Sequence, residues 1–172
     1  PAQMEEFYVE QSVCLDSGFF SYRPPHSSPL IGPLPAKQKG YVTFGSFNNS
    51  IKINPYMMEL WARVLKANEN SRFLLKFHGG SDDGMRDHFL GEFERFGVSR
   101  ERIDIYDKFR SHFEHMELYN QVDLILDTFP FNGCITTIEG LWMGVPTISL
   151  FGEELLVSRS GLSILSQLGL EI

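Results

Sequence analysis

From Tyr41 onward the chain alternates between short apolar runs and stretches of helical period. Tyr41-Val-Thr-Phe-Gly45 predicts a buried strand. Pro55 suits the first turn of a helix, where a missing N–H costs nothing, and Met58, Trp61, Val64 and Leu65 then fall on one face. Arg72-Phe-Leu-Leu-Lys-Phe77 predicts a second strand. Asp82 and Asp83 are suited to cap a helix that turns Phe89, Leu90, Phe93 and Phe96 inward. Ile103 to Tyr106 reads as a third strand, Glu114 to Gln121 as a helix and Val122 to Asp127 as a fourth strand. Thr136 to Met143 predicts a helix stopped by Gly144, and Thr147 to Leu150 a fifth strand. Ser158 to Leu168 predicts a last helix with Leu162, Leu165 and Leu168 inward.

Strands that alternate with helices imply right-handed crossovers and a parallel sheet. The expected fold is therefore α/β, a Rossmann-like parallel sheet with helices on both faces. Upstream, residues 1–21 form a lead-in without a clean period. Residues 22–40 hold five of the nine prolines and read as an extended connector, leaving 41–172 as the regular domain. Ligands of such sheets bind beyond the carboxyl ends of the strands. The loops at 46–54, 78–84, 107–113 and 128–135 are thus expected to share one rim.

The composition supports a packed core: 42% of the 172 residues are hydrophobic and 13% aromatic. A net charge of −7 argues against broad nucleic-acid binding or a polybasic membrane surface. Cys14 and Cys134 have no metal-ligand spacing and are expected to be free thiols in a reducing compartment. No apolar run reaches the length of a membrane span. The expected setting is cytoplasmic, or nuclear in a eukaryote. Pro1 at the start and Leu168 to Ile172 at the end read as cuts within a longer protein.

The rim carries the candidate chemistry. The first loop offers Asn49 and one cation, Lys52, a point charge suited to phosphate. Lys108, Arg110, His112 and His115 form a local positive cluster in an acidic chain. Thr136 and Thr137 lie at a helix start, where free N–H groups attract anions, and Glu139 follows one turn on, placed to accept from ribose hydroxyls. Each feature also has an ordinary reading: a solvated lysine, a surface turn, and a capped helix with an acid near its positive end. Together they describe a nucleoside diphosphate site. The G-x-G-x-x-G and G-x-x-x-x-G-K-[ST] fingerprints are absent, so neither a dinucleotide-binding dehydrogenase nor a P-loop NTPase is expected.

The segments FGSFNN-x-x-KI-x-P, LDTFP-x-NG and LWMGVP, together with FFSYRPP, closely resemble the C-terminal catalytic half of the O-linked N-acetylglucosamine transferase and SPINDLY-type family, glycosyltransferase family 41. The resemblance covers most of residues 6–172. It implies one half of a GT-B fold and a protein O-glycosyltransferase. The expected reaction moves GlcNAc from UDP-GlcNAc to Ser or Thr of proteins, without a metal or other cofactor. It also implies an N-terminal catalytic half and TPR repeats elsewhere in the parent chain. By position, Asn49 and Lys52 match the donor-phosphate loop, with Lys52 as the main catalytic contact to the leaving diphosphate. His115 matches a histidine near the nucleobase, Thr136 and Thr137 the threonine-rich helix start under the diphosphate, and Glu139 the ribose-binding acid. Two alternatives stay open: a GDP-fucose donor, as in SPINDLY-type relatives, or a binding module without catalysis. Cys134-Ile135 depart from the family's Gly- or His-Thr wording, removing one phosphate-facing hydroxyl. Phe47, Phe129, Pro130 and Phe131 are expected to form an exposed, partly apolar rim that faces the missing half, so that these 172 residues alone transfer no sugar.

Overall fold

The computed structural model describes residues 9–11, 13, 15, 16, 18, 20–107, 111–153 and 155–170. Among these residues, eleven α-helices and β-strands follow in chain order, with short 3-10 turns between some of them. They are α1 (Pro35–Lys39), β1 (Val42–Ser46), α2 (Pro55–Ala67), β2 (Ser71–Lys76), α3 (Asp83–Arg95) and β3 (Ile103–Tyr106). Then come α4 (His112–Leu118), β4 (Leu124–Leu126), α5 (Ile135–Trp142), β5 (Thr147–Ile148) and α6 (Ser160–Ser166). The five strands form one sheet in the order β3-β2-β1-β4-β5, and every pairing is parallel. All five predicted strands are present, the third with the predicted bounds and the others with ends shifted by at most two residues.

Local chemistry sets most helix starts. Asn54 caps α2 by accepting from the Met57 N–H at 3.0 Å, and Pro55 occupies the first helical position. Asp82 caps α3, accepting from the Met85 N–H at 2.8 Å. Helix α4 begins at His112, before the predicted Glu114, because Ser111 and Glu114 form a reciprocal capping box. The proline-rich connector is not wholly extended. Pro35 opens α1, and Gly40, at φ 75°, closes it in the left-handed conformation.

The sheet has a core on each face, as period-2 alternation requires. Phe73 and Leu75 of β2 pack with Trp61, Leu65, Phe89 and Phe93 of α2 and α3. Leu74, which points the other way, packs with Met116, Tyr119, Val122, Ile125 and Met143 on the α4/α5 side. Val122 lies so close to β1 that a Cβ at Gly45 would stand 2.8 Å from its Cγ1. Phe47 is buried in this second core, with 4% of its surface exposed. Phe129 is half-buried against the first core. The expected apolar rim therefore reduces to Pro130 and Phe131, because its other two rings are drawn under the loops.

The segment before the sheet is tied to the domain. Asp123 accepts from the Ala36 and Thr43 N–H groups, both at 2.8 Å, and Asn120 pairs with Gly32 N–H and Leu30 C=O. Farther back, the Trp142 indole N–H reaches Ser28 Oγ at 3.3 Å.

Candidate active site at the sheet's switch point

Strand order reverses between β1 and β4, so their following loops diverge there and leave a crevice at the carboxyl edge. The two loops are stitched together across it. Asn48 Nδ2 donates to Asp127 Oδ1 at 3.2 Å, Asn54 Nδ2 to Phe129 C=O at 2.7 Å, and Lys52 Nζ to Asn132 C=O at 2.9 Å. Thr136 Oγ1 donates to Asn48 Oδ1 at 3.1 Å, which brings the first turn of α5 into the same cluster.

Asp127 is the centre of this network. Its Oδ1 accepts from Asn48 and from the Thr128 and Gly133 N–H groups at 2.8 and 2.7 Å, and its Oδ2 accepts from Ser149 Oγ at 2.6 Å. Burial raises its carboxyl above the usual Asp range, against the downward pull of these four donors. Asn132 is fully buried and also fully used. Its amide donates to Thr128 and Leu150 C=O, its N–H to Val157 C=O, and its Oδ1 accepts from Gly161 N–H. Gly133 is required by space: a Cβ there would stand 2.7 Å from Thr137 Oγ1, 2.8 Å from Asp127 Oδ1 and 2.9 Å from Thr136 Oγ1.

The predicted residues take distinct places. Lys52 is held rather than solvated, its ammonium lying 4.0 Å from the centre of the Phe131 ring as well as on Asn132. Asn49 is exposed on the rim, where its Oδ1 accepts from Ile51 N–H and caps the 3-10 turn Ser50–Lys52. The two threonines are not bare hydroxyls opening the helix. Helix α5 starts at Ile135, Cys134 stands at the cap position with no side-chain bond, and Thr137 is buried with 1% exposure. What the helix start does present is backbone, since the N–H groups of Ile135, Thr136 and Thr137 have no intrahelical partner. Ile135 is 48% exposed and does not fill the site.

Glu139, in the second turn of α5, is buried and held by two histidines from the start of α4. His112 Nε2 lies 3.2 Å from its Oε1 and His115 Nε2 3.0 Å from its Oε2. Both rings must carry a proton at Nε2 for these to be hydrogen bonds. His115 also packs between Phe47, tilted, and Tyr119, edge-on, at centroid distances of 5.9 and 5.4 Å. The predicted positive cluster therefore has a partner for its histidines; Lys108 and Arg110 lie outside the described residues, as does Cys14. Tyr119, whose hydroxyl donates to Thr136 C=O at 3.0 Å, has its phenol pushed well above the usual range by burial and then by the nearby Glu139 charge. Leu118 is a core residue with 3% exposure.

Asp127, Asn132 and Asn48 are not among the candidate residues of the sequence. An acid closing an apolar strand before Asn-Gly is the local signal. Their partners lie about 80 residues away or in the next loop, beyond the reach of local pattern. Among the described residues there is no group of three or more His, Cys, Asp or Glu placed to hold a metal, and no helix long and apolar enough to cross a membrane.

The model for glycosyl transferase family 41 matches residues 34–172. The chain is 37% identical, over 99% of its length, to the probable UDP-N-acetylglucosamine–peptide N-acetylglucosaminyltransferase SPINDLY of Solanum lycopersicum, and 39% identical over 95% to the SPINDLY protein of Hordeum vulgare. It spans only 18% and 17% of those proteins. A mutant of Thermobaculum terrenum O-GlcNAc transferase superposes with a TM-score of 0.89 at 33% identity, covering 96% of this chain and 31% of that one. The sheet is thus the Rossmann-like half of a GT-B architecture, as the motifs implied. Matched across most of its length by the family model, the chain belongs to glycosyltransferase family 41.

Proposed function

We propose that this chain is the donor-binding part of a protein O-glycosyltransferase that transfers GlcNAc from UDP-GlcNAc to Ser or Thr hydroxyls of proteins. The observation that carries the reading is the convergence of Lys52 with the start of α5. The lysine is pinned two residues before the helix cap, so its remaining N–H groups and the three free backbone N–H groups serve one anion. Such an arrangement stabilises charge developing on a leaving diphosphate, which is the main electrostatic demand of glycosyl transfer from a nucleotide-sugar. In this proposal Lys52 acts catalytically through that charge, with Asn49 beside it. Thr136 and Thr137 set the first turn of α5, Glu139 binds ribose, and His115 lies near the base. No metal takes part. The acceptor protein binds against the other catalytic half, and TPR repeats belong to the parent chain. A general base is not among these residues and is assigned to the partner half, so the 172 residues bind donor without turning it over.

Calorimetry with UDP and with GDP on the full-length protein, followed by transfer of radiolabelled sugar to acceptor peptides with and without EDTA, tests the reading. Preference for UDP with EDTA-insensitive GlcNAc transfer is expected. Preference for GDP, with fucose transfer, replaces it with the GDP-fucose alternative, whereas the names of the matched SPINDLY proteins support UDP-GlcNAc. Binding of neither nucleotide refutes it.

A further inference from the structure

Two buried polar atoms near Glu139 have no hydrogen-bond partner: the Tyr22 hydroxyl and Nδ1 of His115. Buried polar groups are rarely left unpaired, and each exception needs an explanation. His115 already spends Nε2 on Glu139, so its second nitrogen is left facing protein without a bond. Tyr22 comes from outside the Rossmann-like domain. The chain on both sides of it packs on α5: Gly18 and Phe20 line a cavity of about 350 Å³ with Ile138, Leu141 and Trp142, and Ser28 accepts from Trp142. Tyr22 is thereby bracketed on the helix that carries Glu139. Its phenol is raised above the usual range by burial and, next, by the Glu139 charge, and Tyr119 feels Tyr22 in turn.

From the orphaned hydroxyl and this bracketing we infer that Tyr22 is a further donor-binding residue, which hydrogen-bonds the nucleoside end of the ligand beside Glu139. The inference rests on the proposed nucleotide site and deepens it: the start of the proline-rich connector becomes one wall of the nucleoside pocket. His112 is half exposed and is the outer member of the clamp on Glu139, so it is the group that an entering nucleoside displaces. The ligand then supplies the partner that the hydroxyl lacks.

The test uses Tyr22→Phe in the full-length protein, a change that removes one oxygen and keeps the ring. A structural hydroxyl and a ligand-binding one predict different outcomes. Removing an unpaired buried hydroxyl leaves the ligand-free melting temperature unchanged or higher. Removing a ligand contact lowers affinity for the preferred nucleoside diphosphate about three- to tenfold, the scale of one hydrogen bond, and leaves inorganic pyrophosphate binding unchanged. Nucleotide affinity within twofold of wild type overturns the inference, as does an equal loss for pyrophosphate or a melting temperature several degrees lower. Wild-type protein that binds neither UDP nor GDP removes the functional reading itself, and this inference with it, before any variant is made.

Discussion

Removal of the Asp127 carboxylate is the sharpest test of the network at the switch point. In Asp127→Ala the donors of Asn48, Thr128, Gly133 and Ser149 all lose their acceptor. Ser149 can rotate to another partner and the Asn48 amide can shift, keeping only the bond its oxygen accepts from Thr136, but the Thr128 and Gly133 N–H groups are buried and fixed. Two stranded N–H groups at about 1–3 kcal/mol each, less the relief of no longer burying a charge, give an expected loss of about 3 kcal/mol. Asp127→Asn keeps one oxygen for the three N–H donors and turns an amide toward Ser149 Oγ, so its expected cost is below about 1 kcal/mol. Urea unfolding of this chain, wild type and both variants, measures the three stabilities. The pH dependence has a definite sign. A carboxyl raised above 3.8 on folding contributes most stability below that value, and the contribution is lost as pH rises through the raised folded value. Asp127→Asn should therefore gain on wild type across that window and hold a constant gap above it. An alanine variant within about 1 kcal/mol of wild type would refute the structural role. A wild type that gains on the asparagine variant as pH rises would show that the hydrogen bonds outweigh burial.

Lys52→Ala should weaken UDP or GDP binding by about 1.5–3 kcal/mol with little change in stability, and calorimetry showing unchanged affinity would reduce Lys52 to a loop tie. Gly133→Ala should destabilise by about 1–3 kcal/mol, because its new methyl group meets two threonine hydroxyls and the Asp127 carboxylate; a variant as stable as wild type in urea would mean the turn relaxes freely. Glu139→Ala should reduce nucleotide affinity while leaving pyrophosphate binding intact, and equal losses for both ligands would move Glu139 out of the nucleoside end. Arg72→Ala, which breaks the half-exposed pair with Asp104, should change stability by less than about 1 kcal/mol, and a larger loss on unfolding would assign that sheet edge an unexpected weight.

The sheet was legible because the evidence for it is local. Phe73, Leu74 and Leu75 are apolar on both faces of a strand, and a parallel sheet buries both. The starts of α4 and α1 are carried by local signals too. Ser111 to Glu114 is a capping box in plain text, and Pro35 with Gly40 is a helix opener and stop, overshadowed by the other prolines around them. Phe47 departs from the expected rim because a loop has no period that says which way a ring points. Burial of Thr137 and saturation of Asn132 were not legible at all. Both depend on which loop arrives across the switch point, and that is set by strand order rather than by any short window.

Under the proposed function, the same crossing would let the site tolerate Cys134 and Ile135. Polar groups at the switch point divide into those consumed by the scaffold and those left for a ligand. Asp127, Asn132 and Asn48 are consumed, and Thr136 spends its hydroxyl on Asn48. What remains is the rest of the Lys52 ammonium and the backbone of the first turn of α5, neither of which depends on the side chain at 134 or 135. Losing a hydroxyl at 135 removes one acceptor or donor to phosphate, but it does not disturb the N–H groups, whose direction is fixed by the helix. Those N–H groups are in turn fixed by Gly133, which has no space for a side chain, and by the buried carboxylate that holds its N–H at 2.7 Å. Under the proposed function, anion binding here is a property of a backbone aimed by a buried acid, which side-chain changes at the helix cap tune without abolishing.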